Sequence, residues 1–284
     1  MFEKIAIVYN ADIKTSKEVA QKVETILKSC NKNYIIQTIF PEKTKKTNEF
    51  DKEISLAIVI GGDGTLISVA RFYAQFDVPV FGINLGRLGF LAQLQVEELE
   101  IGIKKLLSGE YKIDERLMLE SFDNGQNFKF NALNDIVIKG GSLARTERLY
   151  VYINDELVSD YLADGVIIST PTGSTAYTLS AGGPIVKPGI DVVVIVPICP
   201  HSLSARPLVV PASEKISVKA DSGWNEIYVT ADGQKNFKLP KNATVNIVQN
   251  SKKAKLVFLK DNDVSFYSVL KEKLNWGVAP KGNA

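Results

Sequence analysis

The sequence predicts an α/β domain built on a parallel sheet, followed by a mostly antiparallel, β-rich domain and a final helix free to pack back on the first. Two patterns and one count lead there. Strand and helix signals alternate as far as about residue 110, and period-2 segments replace them from Tyr111 onward. The chain has 284 residues, which at roughly 150 residues per domain amounts to two domains. The expected divisions are 1–110, 111–262, and 263–284 for the helix and tail.

In chain order, Ile5–Tyr9 is an apolar run of strand length. Ser16 is placed to cap a helix whose Val19, Val23, Ile26 and Leu27 share one face. Tyr34–Phe40 reads as a second strand and Lys43–Lys52 as a charged, mobile loop. Ser55–Ile60 is a third strand, running directly into Gly61-Gly62-Asp63-Gly64-Thr65. Leu66, Val69, Ala70, Tyr73 and Ala74 form another helical stripe. Val78–Ile83 is strand-like, and Val96, Leu99, Ile103, Leu106 and Leu107 fit a helix. This alternation gives a parallel sheet covered on both faces, a Rossmann-like arrangement. Beyond Tyr111, Asn124-Gly125 between two strand patterns signals a tight hairpin turn. Lys215–Ala220 and Glu226–Ala231 alternate, and Asp232-Gly233 can turn the chain after the second. Val245, Ile247 and Lys255–Leu259 extend the antiparallel pattern. Val264–Leu274 has helical spacing, and Pro280–Ala284 reads as a disordered tail.

Composition excludes several classes of function. Lys+Arg total 34 and Asp+Glu 32, so the net charge of +2 creates no field to draw in nucleic acid or an anionic membrane. A single histidine, His201, rules out multi-His zinc sites. Two cysteines, Cys30 and Cys199, cannot build a disulfide framework or a four-cysteine metal site. Such low cysteine use fits a reducing cytoplasm. The start, Met1 to Ile5, lacks the basic and apolar regions of a leader, and no apolar run approaches the ~18 residues of a membrane span. The expectation is a cytoplasmic protein without membrane or nucleic-acid partners.

No Walker-type phosphate loop and no complete G-x-G-x-x-G is present. Gly61–Thr65 nevertheless lies between a hydrophobic strand and an amphipathic helix, where α/β sheets bind ligands. Gly61, Gly62 and Gly64 leave the backbone bare to phosphate oxygens, and with Thr65 they open a helix whose N-terminal end is positive. Asp63 is then repelled by phosphate unless it has a task. The natural ones are holding Mg²⁺ or accepting the proton of an attacking hydroxyl, both proper to phosphoryl transfer. The alternative is a glycine turn with Asp63 as helix cap. Asn84 to Leu91 forms a second glycine-containing loop on the same sheet edge, with Phe90 able either to wall a base or ribose or to anchor in the core. Asn134-Asp135 interrupts a strand pattern, as turn residues or as a pair for a purine edge or ribose. Asp164 to Pro184 is a run of hydroxyl residues and glycines that suits a donor-rich pocket, with Tyr177 as a flat partner for a ring. Asp232-Gly233 is explained by hairpin chemistry, whereas Gln234 is not.

Taken together these motifs resemble the NAD kinase family, over nearly the whole chain. The ordered set is Gly61–Thr65, Leu88-Gly89-Phe90-Leu91, Asn134-Asp135, Asp164 through Pro184, Pro200-His201 to Arg206-Pro207, and Asp232-Gly233-Gln234. Gly61–Thr65 alone is similar to motifs of lipid kinases and phosphofructokinases. Thr172 to Tyr177 with Ser180 to Pro184 is more specific. The resemblance implies NAD bound in a cleft between the domains and ATP-dependent phosphorylation of the adenosine ribose 2′-hydroxyl, giving NADP. It implies Asp63 as general base, Gly64 against the substrate, and Asn134 and Asp135 on the adenosine and its ribose. Asp164 would face the nicotinamide end. Thr172 with Thr175, Ala176, Tyr177, Thr178, Leu179 and Ser180 would line the adenine pocket, and Arg145, Leu162 and Gln234 match further contact positions. ATP or polyphosphate would be the donor, with a divalent metal ion such as Mg²⁺ whose protein ligands the sequence does not identify. A homo-oligomer, dimer or tetramer, is also implied. Relatives often carry glutamate where this chain has Asp135, one methylene longer. The rivals are a lipid or other small-molecule kinase using the same glycine motif, and a non-catalytic NAD(P) sensor. No amphipathic anchor supports the first, and neither Asp63 nor the glycines are lost as the second would require. His201 receives no chemical role.

Overall fold

The computed structural model describes residues 2–39, 51–86, 89–92, 94–141, 146–221, 226–260 and 265–277. Most of the expected charged loop, the expected tail, Leu88 and Arg145 lie outside them. Among the described residues the first elements are β1 (Lys4–Asn10), α1 (Lys14–Ser29), β2 (Asn33–Ile39), β3 (Ile54–Ile60), α2 (Asp63–Tyr73), β4 (Val80–Asn84), β5 (Leu94–Gln95), α3 (Leu99–Ser108) and β6 (Tyr111–Arg116). Next come β7 (Leu119–Asp123), β8 (Lys129–Ala132), β9 (Asp135–Gly140), β10 (Glu147–Ile153), β11 (Glu156–Ala163), β12 (Gly165–Ser169) and the short α4 (Tyr177–Ser180). The chain continues through β13 (Val192–Ile198), β14 (Leu208–Pro211), β15 (Ile216–Asp221), β16 (Ile227–Ala231), β17 (Lys235–Leu239) and β18 (Thr244–Gln249). It closes with β19 (Ala254–Leu259) and α5 (Phe266–Leu274).

Two compact units result. The first is Met1–Asp114 with Lys255–Ala284, and the second is Glu115–Ala254. In the first unit one sheet runs β2-β1-β3-β4-β19-β6, with β5 beside β4. The pairs β1–β2, β1–β3, β3–β4 and β4–β19 are parallel. Each helix buries one stripe. Val19, Ala20, Val23 and Leu27 of α1 pack with Ile103 and Leu106 of α3 and the interior of β1, β3 and β4. Leu66, Val69, Ala70 and Tyr73 are the buried side of α2. The strand order reverses direction between β1 and β3, so β3 ends where such sheets bind ligands.

Ser16 does not cap α1. Ile13 holds the cap position, and Ser16 lies in the first turn, fully buried, its hydroxyl donating to the Ile60 carbonyl at 3.3 Å. A buried hydroxyl must find an acceptor, and the end of β3 supplies one. The strand at 254–259 also departs from expectation. It pairs parallel with β4, Leu256 opposite Val80, and so joins the first sheet. Leu256, Val257, Phe258 and Leu259 are all buried. Unbroken apolarity marks a strand covered on both faces, and it is this, not alternation, that distinguishes β19.

The second unit stacks two antiparallel sheets, β11-β10-β15-β18-β7-β8 and β14-β13-β12-β9-β16-β17. Their facing residues, among them Ile136, Ile138, Leu149, Val151, Val166, Ile168, Val218, Val229 and Val245, form one core. Val137, Ile167, Val194 and Val196 point out of the other face of the β12 sheet and are covered by Ala181 and Val186. The β7–β8 hairpin has a wider connection than a two-residue Asn-Gly turn. Gln126 is left-handed (φ 53°), and the Asp123 carboxylate accepts from the Asn127 amide at 2.7 Å and the Phe128 amide at 3.4 Å. An Asp that caps its own loop favours this longer form.

Candidate active site

In the first unit β3 ends at Ile60 and the chain turns through Gly61 and Gly62 into α2. The Gly61 amide donates to the Ile83 carbonyl at 3.0 Å, tying the loop to β4. A Cβ on Gly61 would come within 2.8 Å of the Thr65 side chain, so glycine is required there. Gly62 is the cap residue and no side chain caps the helix. The positive N-terminal end of α2 therefore faces this glycine turn without a charged side chain from the cap residue. Gly62 and Gly64 are exposed, and Thr65 is half-buried.

Asp63 opens α2 but does not cap it. Its carboxylate crosses to the loop after β4, where Oδ2 accepts from the Phe90 amide at 2.9 Å. Oδ1 accepts from the Leu91 amide at 3.2 Å and the Ala92 amide at 3.3 Å. A Cβ on Gly89 would lie 2.2 Å from Oδ1, so the approach depends on that glycine. Asn84 ties the same loop, accepting from the Gly86 amide at 3.1 Å and donating to the Ala92 carbonyl at 3.4 Å. The Phe90 ring, half-buried, packs 6.2 Å from the Phe266 ring of α5, and the Lys273 ammonium lies 5.6 Å from its centroid. Asp63 stays half-exposed, and three amides leave it about one of its roughly four lone-pair sites.

In the second unit the bend at Leu133–Asn134 leads into β9. The Asn134 carbonyl accepts from the Thr170 amide at 2.8 Å, and the Leu133 carbonyl accepts from the Thr170 hydroxyl at 2.6 Å. These bonds fix Asn134 and Asp135 against the end of β12. The chain then makes a 3₁₀ turn over Thr172–Thr175 and enters α4. Gly173 is required here too, since a Cβ would meet the Asn134 carbonyl oxygen at 2.2 Å. The Ser174 hydroxyl lies 2.7 Å from the Pro171 carbonyl and accepts from the Val186 amide at 3.0 Å, which secures the covering segment. Ser174 is therefore structural.

The expected contact residues divide by exposure. Leu162, Asp164, Tyr177, Ser180 and Gln234 are exposed, and Asn134, Thr175, Ala176 and Leu179 are half-buried. Thr172 is buried, and its hydroxyl accepts from the Arg116 guanidinium at 3.4 Å. Thr178 is fully buried, and its methyl is the atom a Cβ on Gly183 would strike. Its side chain thus faces inward while its neighbours Tyr177 and Leu179 stay accessible. Asp135 is 4% exposed, and burial together with the nearby Asp232 carboxylate pushes its carboxyl up to about 7. Burial, then Cys199, Asp164 and Asp135, raise the Tyr177 phenol. These four titratable groups therefore lie within electrostatic reach of one another. Exposed His201 donates its amide to the Leu162 carbonyl at 2.9 Å and shows no chemistry of its own.

The sequence places Asp232 in a motif of the resemblance but assigns it only turn chemistry and no contact in the site. Asp232 and Gly233 are indeed both left-handed (φ 52° and 63°). Yet the Asp232 carboxylate accepts from the backbone amides of Leu133 at 3.1 Å, Asn134 at 2.7 Å and Asp135 at 3.2 Å. Thr170 falls in the hydroxyl-rich run without a role of its own, and Arg116 was missed. No sequence signal marks Arg116, whose burial is visible only in the structure.

Comparison with known proteins bears on both units. The family model described as ATP-NAD kinase N-terminal domain matches residues 4–111, and that described as ATP-NAD kinase C-terminal domain matches 133–259. The chain is 40% identical over 277 residues to the NAD kinase of Clostridium botulinum, covering 96% of this chain and 97% of that one. It is 36% identical over 281 residues to the NAD kinase of a Thermoanaerobacter species, covering 96% and 99%. Among solved structures it is similar to yeast NADH kinase complexed with NADH (TM-score 0.85, 25% identity, 100% of this chain and 90% of that one). It is also similar to an Archaeoglobus fulgidus NAD kinase in complex with ATP (TM-score 0.75, 25% identity, 96% and 98%).

Proposed function

We infer, from the premise that this chain belongs to the NAD kinase family, that it is an enzyme transferring the γ-phosphoryl of ATP to the adenosine ribose 2′-hydroxyl of NAD, giving NADP. The observation that carries the chemistry is Asp63. It stands in the glycine loop at the carboxyl end of β3, half-exposed, with its orientation fixed by the amides of Phe90, Leu91 and Ala92. An unactivated ribose hydroxyl is a poor nucleophile. Asp63 accepts its proton as the phosphoryl group arrives, while the side-chain-free backbone around Gly62–Gly64 and the positive N-terminal end of α2 attract phosphate oxygens. Most of the rate gain is positioning and electrostatics, with the base contributing about 10²–10⁴-fold.

Dinucleotide recognition falls to the second unit. Asn134 and Asp135 hold the adenosine and its ribose. Thr172, Thr175, Ala176, Tyr177, Leu179 and Ser180 line the adenine site with Tyr177 as the ring partner, and Asp164 meets the nicotinamide end. Leu162 and Gln234 are outer contacts. Thr178 contributes by packing, since its side chain is buried. Among the described residues no three His, Cys, Asp or Glu side chains cluster to hold a metal. A divalent ion such as Mg²⁺ would be carried mainly by the phosphate oxygens and waters, and when bound it would neutralise charge on the transferring group and screen it from Asp63.

A homo-oligomer, dimer or tetramer, is supported by exposed apolar residues on one edge strand of each sheet: Leu157 and Leu162 on β11, Leu208 and Val209 on β14. Light scattering should give a mass above the 31.2 kDa of one chain. A cytoplasmic location is supported by the free thiols of Cys30 and Cys199, and no helix among the described residues is long and apolar enough to cross a membrane. The deciding experiment is turnover with Mg²⁺, ATP and NAD, NADP being read by a strictly NADP-dependent dehydrogenase. NADP formation is expected; NAD binding without NADP formation would point to a sensor instead.

A further inference from the structure

We propose that Asp232 is a positioning residue for the dinucleotide, a carboxylate that clamps the three amides of Leu133–Asp135 and so sets Asn134 and Asp135 in their binding geometry. The inference rests on the kinase reading above and assigns Asp232 a role beyond the hairpin turn. The clamp is closed in both directions. The Asp232 carboxylate accepts from Leu133, Asn134 and Asp135, and the Asp232 amide donates to the Asp135 carbonyl at 3.0 Å. β16 runs antiparallel to β9 with Ala231 opposite Ile136, which delivers the turn to this spot. Consecutive amides aimed at one carboxylate form an anion cradle, and charge-assisted bonds of this kind are the strong ones.

A turn alone would not choose aspartate. At the first left-handed position of such a hairpin, asparagine is at least as good. Asparagine, however, offers one acceptor oxygen and an amino group that would face an amide N–H. The two readings therefore separate on one substitution. If Asp232 serves only the turn, Asp232→Asn is neutral. If it clamps, the bend at 133–135 loosens and NAD recognition suffers.

Asp232 also acts on Asp135 by charge. The titratable groups facing Asp135 are Asp232 from the β16–β17 turn and, further off, Tyr177 of α4. Removing the Asp232 charge lets Asp135 ionise at lower pH. In the variant the pH dependence of kcat/KM for NAD should move to the acid side, a readout that loss of stability alone would not shift.

The test compares wild type, Asp232→Asn, Asp232→Gly and, as a purely structural control, Asp123→Asn in the β7–β8 hairpin. Asp232→Asn should raise KM for NAD about tenfold, with kcat and KM for ATP within about twofold. Asp232→Gly, which tolerates the same φ, should raise KM for NAD further. Asp123→Asn should lower Tm and leave KM for NAD unchanged. Hydrogen exchange supplies a readout independent of turnover. The amides of Leu133, Asn134 and Asp135 should lose protection in Asp232→Asn while those of β16 and β17 keep theirs. Unchanged protection would overturn the clamp. Lost protection with unchanged KM for NAD would overturn its role in recognition. Absence of NADP formation by wild type would refute the kinase reading, while exchange would still decide whether the clamp exists.

Discussion

Each unit holds one aspartate whose carboxylate gathers three consecutive backbone amides from a distant loop. Asp63 takes those of Phe90, Leu91 and Ala92, and Asp232 those of Leu133, Asn134 and Asp135. The local chemistry is nearly the same, and the surroundings differ. Asp63 stands half-exposed among bare glycines at a helix start, so a lone pair remains for a reactant. Asp232 lies in a hairpin turn beside a second, buried carboxyl, Asp135. One cradle orients a group that does chemistry; the other orients a backbone that carries recognition. A cradled carboxylate therefore fixes geometry in either case, and what it is next to decides whether that geometry serves kcat or KM.

The largest test of this contrast is Asp63→Asn. It removes the proton acceptor and should lower kcat by about 10²–10⁴-fold, while NAD affinity measured by calorimetry stays within a few-fold. The amide also turns an N–H donor toward the 90–92 loop, so Tm should fall, by an amount corresponding to about 1–3 kcal/mol. Equal loss of turnover and NAD binding would remove the base assignment and leave Asp63 as a clamp alone.

Two glycine substitutions sharpen the comparison by pressing on each cradle separately. A Cβ on Gly89 would lie 2.2 Å from Asp63 Oδ1, and one on Gly173 would lie 2.2 Å from the Asn134 carbonyl oxygen. A displacement near 1 Å at such a position costs about 10²-fold. Gly89→Ala should therefore lower kcat with little change in KM for NAD. Gly173→Ala should raise KM for NAD with kcat retained. Steady-state kinetics on both variants checks the split, and identical profiles would dissolve the distinction between the two units.

The two regions were not equally legible in the sequence. The glycine loop announces itself, because Gly61–Thr65 joins an apolar strand to an amphipathic stripe and both neighbours are periodic. The parallel sheet and the antiparallel second half follow from the same periodicities. Asp232 is hidden, because Asp-Gly is complete as a turn and its amide partners are about a hundred residues away (sequence separations of 97 to 99). Long-range pairing defeated the reading of β19 for the same reason: a short apolar run does not say which sheet it enters. Thr178 reads as one of a row of hydroxyls, and only packing against Gly183 shows that it faces inward. The buried carboxyl at Asp135 is equally invisible, since its state depends on a neighbour from another hairpin.

That carboxyl gives the next prediction. The Asp135 pKa is raised from 3.8 to about 7 on folding, by burial first and by Asp232 second. The folded state holds the proton more tightly than the unfolded chain. Its contribution to stability is thus fully present below about pH 4 and is lost as pH rises to about 7, by roughly 4 kcal/mol at most. Asp135→Asn imitates the neutral form. It should raise Tm at pH 8 and change it little at pH 4, by thermal melts across that range. A variant equally stable at both ends, relative to wild type, would mean that Asp135 is not held protonated.

The smallest expected effect tests what else orients the first cradle. Phe90 donates its amide to Asp63, and its ring is contacted by Phe266 and by the Lys273 ammonium of α5. A cation over an exposed ring contributes about 0.5–1 kcal/mol, so Lys273→Ala should cost only about two- to fivefold in kcat. The hydrogen bonds to Asp63 and the ties from Asn84 should hold the loop without it. A loss comparable to Gly89→Ala would show instead that α5, not the amide cradle, sets where the Asp63 carboxylate points. The first unit would then differ from the second in being oriented through side chains rather than through backbone.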